Sequence, residues 1–450
     1  MIVSSAFRGK RYAVLGLARS GMAVAESLLA SGAEVTAWDR QEEPRALLAG
    51  RATIADLLEI DLAGFDGVVV SPGVPINTHP IAQAARNAGV PLIGDIELFA
   101  QARAELPAHR VVGITGTNGK STTTALVHHI LKSAAIPVRM GGNIGLPILG
   151  QKPLSPGGVY VLELSSYQID LTFTLACDAA ALSNITPDHL DRYDGFAGYA
   201  ASKARLFAMQ RADQFAAFGC ADEPTSAIAG TERARRAEGR AVCVQPQVWS
   251  ASQPDWPSLQ GPHNLQNAAI AIALVDSLGV TEAQWRPALA SFRGLAHRME
   301  RVGEYNGVLF VNDSKATNPE STAPALAAWP PAPNRRIHWI VGGLPKGGDL
   351  GGCAEHFGNV AAAYTIGEAG PRFAELLEPV MPVERCEMLS EAVKRAIAAA
   401  RPGDVVLFSP ACASFDQFRD YEMRGDCFRQ VVAALAGEGA GHEPDVRAQP

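Results

Sequence analysis

Short apolar runs that end in polar, glycine-bearing turns alternate along the chain with stretches whose apolar residues recur at helical spacing. Tyr12 to Leu17 is the first run, Ser20 to Ala30 follows at helical spacing, and Val35 to Asp39 is a second run. Apolar runs bounded by Gly predict buried strands, and a spacing of three and four predicts helix. The alternation restarts at Val111 to Ile114, where a Gly-rich turn opens a helix from Ser121 to Lys132 carrying Ala125, Leu126, His129 and Ile130. Further strands are predicted at Gly67 to Gly73, Gly157 to Ser165, the start of Ala180 to Tyr193, 308–313, 336–343, 362–367 and 404–409. Gly261 to Gly279 reads as an Ala-rich buried helix. Strand–helix alternation of this kind predicts an α/β protein with parallel sheets, whose ligands bind at the C-terminal ends of strands.

The 450 residues exceed one ordinary core and divide into segments of about 1–98, 99–299 and 300–450. The final stretch, GEGAGHEPDVRAQP, is expected to be disordered. Apolar content of 47% and charged content of 19% fit a globular protein. A net charge of −7 argues against nucleic-acid and anionic-membrane partners, yet leaves room for a small anion in a local pocket. Seven scattered cysteines without a Cys-x-x-Cys pair predict reduced thiols, with no structural zinc and no disulfide framework. The start MIVSSAFRGKRYAVLGL has too short an apolar core for a signal peptide, and no run nears the roughly 18 residues of a membrane span. A cytoplasmic location is expected.

Candidate chemistry gathers at the predicted strand ends. Gly116-Thr-Asn-Gly-Lys120-Ser121 follows a strand and opens a helix, where unpaired backbone N–H groups attract an anion. The usual phosphate-loop spacing would place a glycine at Ile114; here the glycines are Gly113 and Gly116. Lys120 would reach the β- and γ-phosphates and Ser121 a magnesium ion. Glu163 ends a strand of the same segment, where such an acid faces Mg²⁺. Asp188, His189, Asp191 and Arg192 crowd one loop, in which His189 reads equally as structural or functional. By pattern alone Lys203 is a surface lysine on a short amphipathic helix, and His263, Asn264 and Asn267 cap a helix start. The first segment begins like a Rossmann unit, with Asp39 ending its second strand. In its turn, Gly16 to Gly21, Ala18 replaces the glycine that lets backbone touch a pyrophosphate, which argues against an NAD enzyme. NDSKATNPEST, GGLPKGGDL and SPACASFDQF close three strands of the third segment, and Arg424-Gly425-Asp426 is a chance match to an adhesion motif.

GTNGKST (116–122), ELSSYQ, DHLDRY, HNLQNA, GLAHRME and NDSKATN, in this order, resemble the Mur ligase family over nearly the whole chain. In that family the phosphate loop is shortened to Gly-x-x-Gly-Lys, the form Gly116 to Lys120 takes. SPACASFDQF followed by RG most resembles the branch that adds D-glutamate to UDP-N-acetylmuramoyl-L-alanine. The resemblance implies three domains: a Rossmann-like N-terminal domain for the UDP-sugar, a P-loop ATPase-like central domain, and a Rossmann-like C-terminal domain for the amino acid. It implies that Gly116, Thr117, Asn118, Gly119, Lys120, Ser121 and Thr122 hold the ATP phosphates, that Asn264 and Asn267 contact adenine, and that Arg298 and Asp313 contact the γ-phosphate and ribose. Ser121, Glu163, His189 and a carbamylated Lys203 would serve two Mg²⁺ ions, and Lys120, His189, Lys203 and Arg298 would be catalytic. Lys315, Thr317, Lys346, Ser414 and Tyr421 would line the amino-acid site; Leu17, Ala18, Asp39, Arg40, Gly73 and Asn143 would face the UDP-sugar. The implied reaction is ATP-driven amide formation through an acyl phosphate, by a cytoplasmic monomer, in peptidoglycan precursor synthesis. The chain departs from the family at Ala18, where a hydroxyl is familiar, at Tyr421, where Phe is familiar, and at the Pro inside GGLPKGGDL.

Overall fold

Each of the three segments carries one sheet. The computed structural model describes residues 1–188, 192–345, 347 and 349–437; His189, Lys346 and the tail lie outside them. The first sheet holds β1 (Arg11–Leu15), β2 (Glu34–Trp38), β3 (Thr53–Ile54), β4 (Gly67–Val70) and β5 (Leu92–Ile93), in the order β3-β2-β1-β4-β5 and parallel throughout. The order reverses between β1 and β4, so the turns after these strands open a crevice at the C-terminal edge.

The second sheet holds β6 (His109–Thr115), β7 (Val138–Gly142), β8 (Gly158–Glu163), β9 (Ala179–Leu182), β10 (Phe215–Phe218) and β11 (Ala241–Cys243), ordered β11-β10-β9-β6-β8-β7, again all parallel. Every residue of β8 and β9 is buried, which is why both read as unbroken apolar runs rather than as an alternation. Phe99, on the helix Asp95–Ala102, packs edge-on against Tyr160 of β8 at 5.1 Å and joins the first sheet to the second.

The third sheet holds β12 (Glu300–Tyr305), β13 (Val308–Asn312), β14 (Ile337–Gly342), β15 (Val360–Ile366), β16 (Val383–Glu387) and β17 (Val405–Phe408), ordered β12-β13-β17-β14-β15-β16. β12 is antiparallel to β13, and the other pairs are parallel. Because β13, β17 and β14 are neighbours, the chain leaves their ends side by side at Asp313, Ser409 and Gly343. The chain divides into two compact units, 1–246 with 266–289, and 247–265 with 290–450. No helix among the described residues is long and apolar enough to cross a membrane.

Two findings depart from expectation or add to it. Cys220 and Cys243 form a disulfide, whereas the composition predicted reduced thiols throughout. β10 pairs with β11 so that Phe218 faces Cys243; the chain just beyond β10 therefore brings Cys220 within 5.6 Å, Cα to Cα. The other five cysteines are free.

His338, on β14, is buried between the Tyr364 hydroxyl at 3.0 Å and an Asp404 carboxylate oxygen at 3.3 Å. Burial lowers its pKa, against the opposing pull of Asp404. The unfolded chain therefore takes up this proton first. The stability due to neutral His338 is complete above about pH 6.5 and is lost as pH falls through the lowered folded value. Denaturant midpoints between pH 7 and pH 5 are expected to fall more steeply in the wild type than in His338→Gln; parallel slopes would remove His338 from this account.

Candidate active site

β6 delivers the phosphate loop. Gly116 (φ +145°) and Gly119 (φ +84°) adopt backbone angles that favour glycine, and neither site has room for a side chain. A Cβ on Gly116 would lie 1.9 Å from the Ser183 hydroxyl, and one on Gly119 2.3 Å from Asn267 Oδ1. The loop is pinned from β9: the Thr117 N–H donates to the Asn184 carbonyl and the Asn118 N–H to Asn184 Oδ1, both at 2.8 Å. Ser183 Oγ donates to the Asn118 carbonyl at 2.5 Å. The helix then starts at Lys120, one residue before the spacing predicted. Its first N–H groups, with Ser121 and Thr122, form a helix-terminus anion site. Lys120 Nζ folds over this loop, donating to the carbonyls of Gly116 at 2.9 Å and Thr117 at 2.7 Å.

Ser121 and Glu163 meet under the loop, with Ser121 Oγ donating to Glu163 Oε2 at 2.5 Å. Asn143 Nδ2 donates to Glu163 Oε1 at 3.0 Å. Both Ser121 and Glu163 are nearly fully buried. A hydroxyl beside a carboxylate offers hard oxygen donors, the kind Mg²⁺ takes from protein while phosphates and water complete its shell. This pair fits the metal that the sequence implied. The second predicted ligand, His189, lies outside the described residues.

Lys203 corrects the sequence reading. Expected at the surface, it is 1% exposed, on the helix Gly195–Ala208. Its Nζ donates to the Gly116 carbonyl at 2.8 Å, the same oxygen that Lys120 uses, and lies 4.5 Å from the Tyr199 ring centroid. Burial, and then the charge of Lys120, push its pKa well below the ordinary lysine value, while Asp188, Asp170 and Glu163 pull the other way. The signal was present: Tyr199, Ser202, Lys203, Leu206 and Phe207 form the buried stripe of this helix, and Lys203 occupies an apolar position in it.

In the first sheet, Asp39 closes the turn after β1, with Oδ2 accepting the Leu17 N–H at 2.6 Å and Oδ1 the Gln41 N–H at 2.9 Å. A Cβ on Gly21 would lie 1.8 Å from the Gly16 carbonyl, so this turn needs its glycine. Ala18 caps the helix Arg19–Ala30 without a side-chain bond, which leaves the helix N-terminus open to a ligand. Arg40 is exposed, and Gly73 has open space where a Cβ would stand. Arg19 Nη2 donates to the Gly145 carbonyl at 3.2 Å, which holds the loop of Asn143 against this crevice. Leu17, Ala18 and Asp39 thus meet at the turn after β1, whereas Asn143 turns its side chain to Glu163.

Asn264 and Asn267 both lie on the helix Pro262–Ser277. Neither acts as the cap the pattern suggested: Asn264 Nδ2 donates to the Gln260 carbonyl at 3.1 Å, and Asn267 Oδ1 accepts from Thr123 Oγ1 at 3.3 Å.

In the second unit, Asp313 is buried beyond β13, accepting from Ser409 Oγ at 2.7 Å and from the Met299 N–H at 3.1 Å. Burial raises its carboxyl to about 7, although the nearby charge of Arg298 lowers it. Lys315 Nζ lies 3.8 Å from the Tyr421 ring centroid, and the Tyr421 carbonyl accepts from Ser314 Oγ at 2.9 Å. Thr317 precedes Asn318, which caps the helix Pro319–Ala327. Ser414 is buried after β17, and Lys346 lies outside the described residues.

Asp313 carries a testable sign. A carboxyl whose folded pKa is raised costs stability as pH rises through its ordinary value of about 4 and on to the folded value. Asp313→Asn is therefore expected to raise the melting temperature of the free protein at pH 8 and to weaken ATP use. A lower melting temperature at pH 8 would contradict the burial argument.

Comparison with known proteins matches this arrangement. Mur ligase models match in three places: a MurD-like N-terminal domain over 10–94, the middle domain over 114–275 and the glutamate ligase domain over 297–412. The chain belongs to the Mur ligase family, in its MurD-like branch. It is 71% identical over 445 residues to the UDP-N-acetylmuramoylalanine--D-glutamate ligase of Novosphingobium aromaticivorans, covering 99% of each chain. It is 60% identical to the protein of the same name from Sphingopyxis alaskensis, covering 97% of this chain and all of that one. The crystal structure of the MurF ligase of Thermotoga maritima in complex with ADP shares its fold, with a TM-score of 0.57 at 17% identity over 97% of this chain and 96% of that one.

For a Mur ligase, the residues that sequence reasoning missed are those that hold the loops. Asn184 grips the phosphate loop from a neighbouring strand end. Asn312 Nδ2 joins Glu300 Oε2 at 2.9 Å and the Gly425 carbonyl at 3.1 Å. Asn312 opens the NDSKATN stretch and Asn184 lies within Ala180 to Tyr193, but neither has a role of its own in the sequence pattern, because each makes its bonds across the fold.

Proposed function

We propose that this Mur ligase joins D-glutamate to UDP-N-acetylmuramoyl-L-alanine at the cost of ATP, as a cytoplasmic monomer. The observation that carries the reading is the cluster at the end of β6, β8 and β9. There Ser121 and Glu163 lie side by side beneath a phosphate loop, and two lysines share the Gly116 carbonyl. The names of relatives at 71% and 60% identity support the substrate assignment.

A carboxylate oxygen of the UDP-sugar attacks the γ-phosphorus, the bond to the β–γ bridging oxygen breaks, and ADP leaves. The glutamate amine then attacks the acyl carbon, loses a proton, and the tetrahedral intermediate expels inorganic phosphate. Three anionic groups meet here, so catalysis rests on positioning and on positive charge. Gly116 to Thr122 cradle the phosphates with backbone N–H groups, and Lys120 turns from its loop carbonyls to the β- and γ-phosphates. Ser121 and Glu163 hold Mg²⁺, which neutralises phosphate charge when bound, and His189 holds a second ion. Arg298 meets the γ-phosphate, Asp313 the ribose, and Asn264 and Asn267 the adenine. Leu17, Ala18, Asp39, Arg40, Gly73 and Asn143 hold the UDP-sugar; Lys315, Thr317, Lys346, Ser414 and Tyr421 hold the glutamate.

Lys203 acts as a carbamate. Burial lowers its pKa and so favours the neutral amine, whose lone pair attacks the carbon of CO₂; an N–C bond forms, one C=O pair moves onto oxygen and one proton leaves to solvent. The product is an anion where a cation would repel Lys120. The reading is tested by mass spectrometry of the nucleotide product after incubation with ATP, Mg²⁺ and both substrates. The expected product has gained one glutamate with loss of water, with one ADP formed per product. ADP without that product would overturn the assignment.

A further inference from the structure

Arg424 heads the Arg-Gly-Asp triplet, yet it is 1% exposed, which closes it to any surface receptor. Its guanidinium is surrounded by main chain. Nε donates to Ser314 Oγ at 3.0 Å, Nη2 to the carbonyls of Ser314 at 2.8 Å and Cys412 at 3.0 Å, and Nη1 to the Ala413 carbonyl at 3.0 Å. The third strand-end loop touches it as well. Gly343 has φ +136°, and a Cβ there would lie 3.0 Å from Arg424 Nη1 and 2.5 Å from the Ala413 carbonyl. Leu344 and Ala413 exchange both of their backbone hydrogen bonds at 2.9 Å. One side chain therefore gathers the loops that leave β13, β17 and β14.

Four hydrogen bonds would be satisfied by any donor of this shape. The charge is the unexplained part. Arg424 makes no ion pair among the described residues, and a buried cation without a paired anion is costly. The titratable groups acting on it are the Cys412 thiol and the Asp416 carboxylate. Asp416 directs Oδ2 to the Glu368 N–H at 3.1 Å instead. The face of the Phe408 ring lies 5.8 Å away on β17. Burial lowers the pKa of Arg424 to about 10, so it remains charged at neutral pH. Its carbonyl partners also fix peptide orientation. A planar trans peptide points its N–H opposite its C=O, so the Ala413–Ser414 unit turns its positive end, beside the Ser414 hydroxyl, away from the guanidinium.

We propose that Arg424 is a positioning residue for the incoming amino acid: it clamps the loops of Lys315, Thr317 and Ser414, and its charge makes them favour an anionic, dicarboxylate amino acid. This rests on reading those loops as the glutamate site. The substrate's carboxylates supply the counter-charge that the protein leaves out.

The test compares Arg424→Gln and Arg424→Lys with the wild type in steady-state phosphate release, varying D-glutamate and then ATP, from pH 7 to 10. Arg424→Gln is expected to raise the KM for D-glutamate roughly 10- to 100-fold, the range of hydrogen bonds involving charge, with the KM for ATP unchanged. Arg424→Lys keeps the charge but makes it titratable. Its KM, relative to the wild type, should climb with rising pH as the buried ammonium deprotonates. Equal KM increases in both variants, independent of pH, would reduce Arg424 to a mechanical clamp and overturn the proposal. Unchanged KM values would overturn it as well. If neither variant folds, Ser314→Ala removes one Arg424 bond and leaves the charge; it should raise the D-glutamate KM severalfold, and no rise would count against the proposal. Wild type without glutamate-dependent phosphate release would refute the function assigned above, whereas wild-type turnover with unaffected variants would refute this inference alone.

Discussion

Lys120→Ala is expected to lower ATP-driven phosphate release by about 10³-fold, the upper end for losing one charge-stabilising donor. Lys120 stands at the first position of its helix, where the N–H groups already favour an anion, and its Nζ lies within 3 Å of two loop carbonyls. The substitution removes the cation that follows the γ-phosphate during transfer and leaves the loop anchored by Asn184 and Ser183. Calorimetric titration with the UDP-sugar should show binding intact, because the crevice between β1 and β4 belongs to another sheet. Loss of UDP-sugar binding would place that ligand elsewhere.

The second large effect concerns Lys203. Lys203→Ala is expected to lower turnover about 10²- to 10³-fold, as for the loss of one preorganised charged group beside the transferred phosphate. The wild type should also lose activity in buffers stripped of CO₂ and regain it with bicarbonate, whereas Lys203→Ala should respond to neither. The sign of the pH effect follows from the lowered pKa. The neutral amine becomes more abundant as pH rises, so recovery should be faster at pH 8 than at pH 6. A wild type indifferent to CO₂ would leave Lys203 as a plain amine and remove the carbamate from the mechanism. A melting temperature for Lys203→Ala close to that of the wild type would separate chemistry from folding, since Lys203 also holds the Gly116 carbonyl.

Strand ends were the legible part of this chain. Gly116 to Ser121, Glu163 and Asp313 are recognisable because buried parallel strands read as apolar runs, and the polar residues that close them stand out. By pattern alone Lys203 belongs to the solvent side of its helix, where a lysine usually lies; Tyr199, Leu206 and Phe207, at spacings of three and four from it, are buried and place it on the inner side. β12 was missed although Asn306-Gly307 marks its turn, both residues with positive φ, the chemistry a tight hairpin requires. Cys220 and Cys243 became partners through strand pairing, which spacing does not reveal. Arg424 and Ser314 are separated by 110 residues, and no local pattern connects them.

The most direct test of the central claim is phosphate release from ATP by the purified protein with Mg²⁺ and UDP-N-acetylmuramoyl-L-alanine, comparing D-glutamate, L-glutamate, L-lysine and no amino acid. Release that depends on D-glutamate, with the other three at background, is the predicted result. Release with L-glutamate or L-lysine in its place, or equal release without any amino acid, would contradict it.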